Sequence, residues 1–350
     1  MKYFFIFVAH IVTCYNFNMK IDEAGEFGLI GILNALIMKD REECDPNILI
    51  DTGDDTAAWR TDAAVNMTTV DCLVEDVHFK LEKTSWRELG WKALAVSLSD
   101  IAAMGGTPKY ALFSLALPPQ TDVEDVAELY KGILDLGRKY KVKVIGGNLS
   151  KSPLVFIDSI VYGVAADADI MLTRSAAKPG DEIAVTGFLG AAAGGLKIIN
   201  NELSFAAETK ETLLSALNTP CPRIEQGQKL AAGGVKCAMD ISDGLVADLG
   251  HICKASRVGA EINIDAVPVH PAVKSAFGND SIDMALSGGE DYELLFTATH
   301  DIIENIKEQF ACPVTVIGKI TSADDNNVKL SDSKGKIYKS SGKGWNHFGK

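Results

Sequence analysis

Apolar positions along the chain recur with period two in short runs and at steps of three and four in longer ones, the mark of a mixed α/β protein. "MTTVDCLVE" (67–75) and "YALFSLALP" (110–118) read as strands. Between them, "SWRELGWKALAVSLSDIAAMG" (85–105) reads as a helix, with Trp86, Leu89, Ala93 and Val96 on one face. The next step along that face lands on Asp100. A carboxylate there is costly unless it is paired, protonated or bound to a cation. "KVKVIGGN" (141–148) predicts a strand running into Gly146 and Gly147, and "VFIDSIVYGVA" (155–165) predicts another.

The "KPGD" turn at Lys178–Asp181 opens a second half, and the pattern places a domain boundary near residue 168. This gives an N-terminal domain over 19–168 and a C-terminal domain over 169–350. In the second half, "EIAVTGFLGAAAGGLKIIN" (182–200) predicts a strand and a helix. "CAMDISDGLVADLGHICKAS" (237–256) predicts a strand, a tight turn and an amphipathic helix. The polar tail from Thr321 to Gly344 predicts a surface hairpin.

A length of 350 residues fits two packed domains, and 47% hydrophobic with 23% charged residues supports cores rather than disorder. The formal net charge of −13 argues against nucleic acid as a partner, although an acidic protein binds phosphates when divalent cations lie between them. The seven cysteines are scattered, with no CxxC pair, which fits a reducing compartment and a cytoplasmic location. The segment "MKYFFIFVAHIVTCY" (1–15) resembles an export signal, is too short for a membrane span, and only loosely approaches a lipoprotein box at Cys14. The favoured reading of residues 1–18 is an over-extended start upstream of Met19, with export as the alternative.

Several routes to chemistry are closed. There is no GxxxxGK[ST] loop and no GxSxG elbow. "GFLGAAAGG" (187–195) mimics a dinucleotide fingerprint but lacks GxGxxG spacing, and its small residues are read as close helix–sheet packing. Aspartates at turns and strand ends are what remain. Asp54 and Asp55 follow an apolar run in "LIDTGDDTAAW", Asp71 lies inside a strand, and Asp100 lies on the helix face. Asp240 and Asp243 flank Ser242 in "MDISDG". An N-cap role would account for Asp243 but not for Asp240. Hard oxygen donors without His or Cys suit Mg²⁺, which takes a few carboxylates together with substrate phosphates.

Nine ordered blocks then carry a resemblance: "GEFGLI" (25–30), "GDDTA" (53–57), "VDCLVEDVHF" (70–79), "KALAVSLSDIAAMGGTP" (92–108), "IGGN" (145–148), "LTRSAAKPGD" (172–181), "DISDGLVADLGHI" (240–252), "LSGGEDYELLF" (286–296) and "GWNHF" (344–348). The chain from about residue 24 onward resembles the thiamine-monophosphate kinase family, within the aminoimidazole ribonucleotide synthetase-like superfamily. The resemblance implies a two-domain α/β fold whose N-terminal sheet completes a barrel across a homodimer. It implies transfer of the ATP γ-phosphoryl group to thiamine monophosphate, several Mg²⁺ ions, and compatibility with K⁺.

Carried over residue by residue, the resemblance makes Asp55, Asp71, Asp100, Asp240 and Asp243 metal ligands, with an oxygen from Thr69. Asp54 then shapes the turn that aims Asp55. Gly146, Gly147, Arg174 and Ser242 match ATP contacts; His78, Glu290 and Trp345 match contacts to the thiamine substrate. No general base is implied, because the acceptor phosphate has a second pKa near ~6 and is largely deprotonated at neutral pH. One position departs from the pattern: Asn148 stands where the family usually has a metal-binding aspartate. The alternatives are another ATP-dependent synthetase of the superfamily, or a nucleotide-binding relative that has lost activity.

Overall fold

The computed structural model describes residues 19–41, 47–50, 58–59, 61, 65–201, 203–322, 328–340, 342 and 344. The expectations for residues 1–18 and for Asp54, Asp55 and Trp345 lie outside these residues. In chain order the elements are α1 (Ile21–Asp40), β1 (Ile48–Ile50), β2 (Ala58–Trp59), β3 (Val65–Val74), α2 (Trp86–Ala103), β4 (Thr107–Leu117), α3 (Val123–Tyr140), β5 (Lys143–Lys151) and β6 (Phe156–Ala165). They continue with β7 (Glu182–Thr186), α4 (Ala191–Asn201), α5 (Ala207–Asn218), α6 (Ile224–Ala232), β8 (Cys237–Asp240), α7 (Leu245–Ser256) and β9 (Val258–Asn263). The last are α8 (Pro271–Phe277), α9 (Ser281–Ser287), β10 (Leu294–Ala298), α10 (His300–Lys307), β11 (Val314–Ser322) and β12 (Val328–Ser331). The chain divides into two compact units: residues up to Ser97 with Pro108–Val164, and Leu98–Thr107 with residues from Ala165 onward.

The first unit is built on a sheet of order β3-β6-β4-β5 among the described residues. Along β3 the odd positions Met67 and Leu73 are buried, with Thr69 and Asp71 half-buried between them; the even positions Asn66, Thr68, Val70 and Cys72 are exposed. One face therefore carries the core and the other is open, with Val70 62% exposed. The covered face meets α3, where Phe113 of β4 packs its ring edge against Tyr130. Val123, Val126, Ala127, Tyr130, Ile133 and Leu134 of α3 are buried at helical spacing. Lys141 ends that helix in the left-handed region at φ 58°, its N–H bonding back to the carbonyls of Gly137 and Arg138. Backbones cross α2 and α3 in direct contact: a Cβ at Gly90 would lie 1.8 Å from the Leu129 carbonyl oxygen.

The strand expected to run into Gly146 and Gly147 passes through them and ends at Lys151. It pairs parallel to β4, with Phe113 opposite Gly147 and Ser114 opposite Asn148, after a register shift at Ala111/Leu112. A Cβ at Gly147 would lie 2.2 Å from the Phe113 carbonyl oxygen, so the glycine permits a close strand approach and does not mark a turn.

The second unit holds a sheet of order β12-β9-β11-β7-β10-β8 among the described residues. β8 and β10 are buried along their whole length, with Asp240 and Thr297 as the polar residues among them. Residues 98–107 join this unit through specific contacts: the Gln228 side chain donates to the Gly106 carbonyl and Thr107 Oγ1, and Leu172 N–H donates to the Met104 carbonyl. A Cβ at Gly227 would sit 2.0 Å from the Ala102 carbonyl oxygen.

The tail carries the surface hairpin expected over 321–344 only in part, where Ser331 bridges Ile337 antiparallel across an exposed turn. Val328–Ser331 adds to the sheet edge parallel to β9, with Leu330 buried, so β11 and β12 flank β9 on opposite sides. A turn does follow, where Gly335 N–H donates to the Asp332 carbonyl and Tyr338 N–H to that of Leu330. Strand β12 pairs because Val328 and Leu330 supply apolar side chains in an otherwise polar stretch.

Candidate active site

Strand β8 ends at Asp240, which is 2% exposed and accepts a hydrogen bond from Ser99 Oγ at 2.7 Å. Ser99 immediately precedes Asp100, so the end of α2 carrying one expected ligand is tied directly to another. Beyond Asp240 the chain turns through Ile241–Gly244 and enters α7. Gly244 adopts φ 118°, and a Cβ there would lie 2.8 Å from the Ser287 carbonyl carbon. No other residue type fits this turn without displacement.

An N-cap by Asp243 is not what the structure uses. Gly244 holds the N-cap position, and Asp248, inside the first turn of α7, accepts from the backbone N–H groups of Ser242, Asp243 and Gly244 at 3.0–3.1 Å with Oδ2. Asp248 is 1% exposed, and its Oδ1 has no hydrogen-bond partner among the described residues. Burial pushes its pKa up to about 7, helped by the charges of Asp240 and Asp243, while the amides of Gly244 and Asp243 pull the other way. Asp243, Asp248 and the exposed His251 each bring one ligand atom within 4.8 Å of the others. Gathered carboxylates with one buried, unpaired oxygen fit a hard divalent cation, which would cancel their mutual repulsion.

The stretch Gly288–Glu293 lies against this turn. Glu290 N–H donates to the Ser242 carbonyl at 2.8 Å, Tyr292 N–H to the Ile241 carbonyl at 2.9 Å, and Ile241 N–H to the Glu293 carbonyl at 2.8 Å. Expected substrate contact Glu290 and expected ATP contact Ser242 are thus neighbours on one backbone ladder. Asp291 accepts from Gly190 N–H at 2.8 Å, and the amides of Ala191 and Ala192 that follow favour its ionised form. Those amides open α4, the helix of the "GFLGAAAGG" stretch. Its anion-binding end is therefore filled by the protein's own carboxylate. The small residues expected to pack helix on sheet pack helix on helix: a Cβ at Gly195 would lie 2.3 Å from the Leu213 carbonyl oxygen on α5.

Expected residues of the first unit occupy three places. Thr69 and Asp71 lie on the core-facing side of β3, and Asp71 Oδ2 accepts from Ser97 Oγ at 2.8 Å. Ser97 Oγ also meets Ser159 Oγ at 2.5 Å. His78 sits in a tight turn in which its N–H donates to the Val74 carbonyl, and its Nδ1 accepts from Val74 N–H at 3.0 Å. The neutral ring consequently carries its proton on Nε2. Lys92, 1% exposed on α2, donates from Nζ to the His78 carbonyl at 3.4 Å. Gly146 and the exposed Gly147 and Asn148 lie on β5. In the second unit, Arg174 is exposed, and its carbonyl accepts from Ser256 Oγ. Its side chain makes no ion pair among the described residues.

Sequence reasoning missed Asp248, Asp291, Lys92 and the serines that hold the aspartates. An acidic residue in the first turn after a Gly-bearing loop was a usable signal for Asp248. Polar Ser97 and Ser99 on the otherwise apolar run "ALAVSLSDIAA" were another.

Residues 53–166 match the family model of the AIR synthase related protein N-terminal domain, and residues 178–331 match that of the C-terminal domain. The thiamine-monophosphate kinase of Bacillus subtilis (strain 168) is 36% identical over 304 residues, covering 85% of this chain and 92% of that protein. The chain belongs to the thiamine-monophosphate kinase family. Solved members share the fold. The crystal structure of thiamine-monophosphate kinase from Stenotrophomonas maltophilia K279a superposes with a TM-score of 0.78 at 33% identity, over 90% of this chain and 98% of that one. The structure described as AaThiL complexed with AMPPCP and TMP does so with a TM-score of 0.72 at 34% identity, over 95% and 100%.

Proposed function

We propose that this member of the thiamine-monophosphate kinase family transfers the γ-phosphoryl group of ATP directly to the phosphate of thiamine monophosphate, giving thiamine diphosphate. The observation that carries the reading is the carboxylate cluster at the end of β8, where Asp240, Asp243 and the buried Asp248 crowd together beside Ser242. A relative crystallised with an ATP analogue and TMP supports the substrate pair.

Donor and acceptor are both anions, so the protein's task is positioning and charge neutralisation. Asp55, Asp71, Asp100, Asp240 and Asp243, with Thr69, are the proposed metal ligands, and Asp54 shapes its turn. When bound, Mg²⁺ ions would offset the repulsion between the two sets of phosphate oxygens. Ser242, Gly146, Gly147 and Arg174 hold the nucleotide, Arg174 through the planar fork that suits phosphate. His78, with its proton on Nε2, presents a donor to the thiamine substrate; Glu290 and Trp345 complete that side. No residue is assigned as general base, because the acceptor oxygen is already ionised.

A K⁺ ion is compatible with the all-oxygen donors, and the N-terminal domain is assigned ATP and metal binding together with dimerisation. The open face of the first sheet, with Val70 exposed, supports a homodimer in which two such sheets close a barrel. Among the described residues no helix is long and apolar enough to cross a membrane. The scattered cysteines, with no disulfide among the described residues, support a cytoplasmic location.

Incubating purified protein with Mg-ATP and thiamine monophosphate is expected to yield thiamine diphosphate. Retained ATP binding without product would favour the inactive relative, and ATP hydrolysis only with an amidine substrate would favour the synthetase. Asn148 sharpens the metal reading. An amide oxygen can ligate Mg²⁺ but adds no charge, so Asn148→Asp is expected to lower the Mg²⁺ concentration for half-maximal activity several-fold. Superimposable Mg²⁺ titrations of the two proteins would remove Asn148 from the metal set.

A further inference from the structure

We propose that Asp291 is a positioning residue for the acceptor substrate: it plugs the N-terminus of α4 and so locks Glu290 into a strained backbone conformation that aims its side chain. This rests on the reading of Glu290 as a substrate contact. Among the described residues, five non-glycine residues have positive φ, and two of them, Glu290 at 67° and Tyr292 at 50°, flank Asp291. Each such residue costs about 1–2 kcal/mol against its relaxed conformation, so the surrounding contacts must hold the segment in place.

Those contacts are specific. Backbone bonds from Glu290 and Tyr292 tie the segment to Ser242 and Ile241 on one side. On the other, Asp291 Oδ2 is fastened to the Gly190 N–H at the entry to an eleven-residue helix, whose first amides also favour the ionised carboxylate. Its side chain remains partly exposed, yet the carboxylate lies deep enough that desolvation pushes its pKa up to about 8, with Glu293 adding to the rise. Two residues on, Glu293 is clamped by Arg223 and by Thr186 Oγ1. The side chains at 291 and 293 are therefore held by protein partners, while Glu290 beside them takes the left-handed conformation at φ 67°. A carboxylate that only capped α4 would not need to sit between two strained residues.

The test is a double-mutant cycle read in steady-state kinetics with both substrates, alongside thermal melting. Glu290→Gln is expected to raise KM for thiamine monophosphate about tenfold, the loss of one charge-assisted hydrogen bond. Asp291→Ala is expected to raise the same KM by a similar factor and to leave KM for ATP within about twofold. The double variant is expected to be no worse than the weaker single variant, because the anchor acts through Glu290. Asp291→Asn keeps one acceptor oxygen for the amides and should recover part of the loss, and it serves as the readout should the alanine variant fold poorly. An unchanged KM in a folded Asp291 variant with lowered melting temperature would reduce Asp291 to a helix cap and overturn the proposal. So would effects that multiply in the double variant. An unchanged KM in Glu290→Gln alone would instead overturn the reading of Glu290 as a substrate contact, and the proposal with it.

Discussion

Asp240→Asn is expected to cut turnover roughly a hundredfold to a thousandfold while the protein stays folded, the order of effect seen when one preorganised electrostatic group is lost. Asparagine has the same shape and still accepts from Ser99 Oγ, so the strand end and the tie to the end of α2 survive. What disappears is one negative charge in a buried cluster. In the metal-free protein that charge works against the fold, since Asp240 is one of the groups driving the Asp248 pKa upward. Thermal melting of metal-free Asp240→Asn should accordingly match or exceed that of the parent, the usual trade between site and stability. Adding Mg²⁺ should raise the melting temperature of the parent and raise that of the variant less. Undiminished turnover, or an equal response to Mg²⁺, would take Asp240 out of the metal set.

The second large effect is on stability. Arg223 is 22% exposed by side chain and Glu293 6%, and they form a two-point ion pair: Arg223 Nε donates to Oε2 at 2.6 Å, and Nη2 donates to Oε1. Thr186 Oγ1 donates to the same Oε2, and in turn accepts from Leu294 N–H. Gly187, at φ 61°, leaves room for this carboxylate; a Cβ there would lie 2.0 Å from Glu293 Oε1. Arg223→Met would strand Glu293 without its cation at a cost of about 3–5 kcal/mol, which corresponds to a fall of roughly 10 °C in melting temperature for a unit of this size. Replacing both partners, Arg223→Met with Glu293→Leu, should restore most of the loss, because two apolar groups leave no orphan charge. If the single and double variants melt together, the pair is not what holds this corner.

The parts of the molecule legible in sequence were those governed by local spacing. The alternation along 67–74 follows from which face meets the core, and the helix over Trp86–Ala103 emerges as expected, although its residues 92–99 are buried on every side and not along one face. The family membership rested on ordered blocks, with "DISDG" and "SGGEDYEL" meeting in space as one backbone ladder. Illegible was everything decided by distant partners. Nothing local marks residues 98–107 as packing with a helix more than a hundred positions later, since that depends on Gly227 allowing close contact with Ala102. The carboxylate that fills the start of α4 comes from Asp291, 101 positions away, and nothing in the glycine- and alanine-rich stretch itself announces it. Asp243 was the obvious cap, yet Asp248, a turn further on, holds the amides because its side chain reaches back over the first turn.

The strand order of the second sheet has a consequence for how the protein is made. Strand β7 emerges first, but Val185 pairs with Leu295 on one side and Thr315 on the other. Its buried run Ile183–Thr186 thus leaves the ribosome long before either neighbour exists. Until Ala298 has been synthesised β7 has no neighbour to pair with, and its second neighbour is complete only at Ser322. Long-range pairing of this kind is slow and exposes nascent chains to aggregation, so chaperone dependence is expected to fall on the C-terminal half during translation.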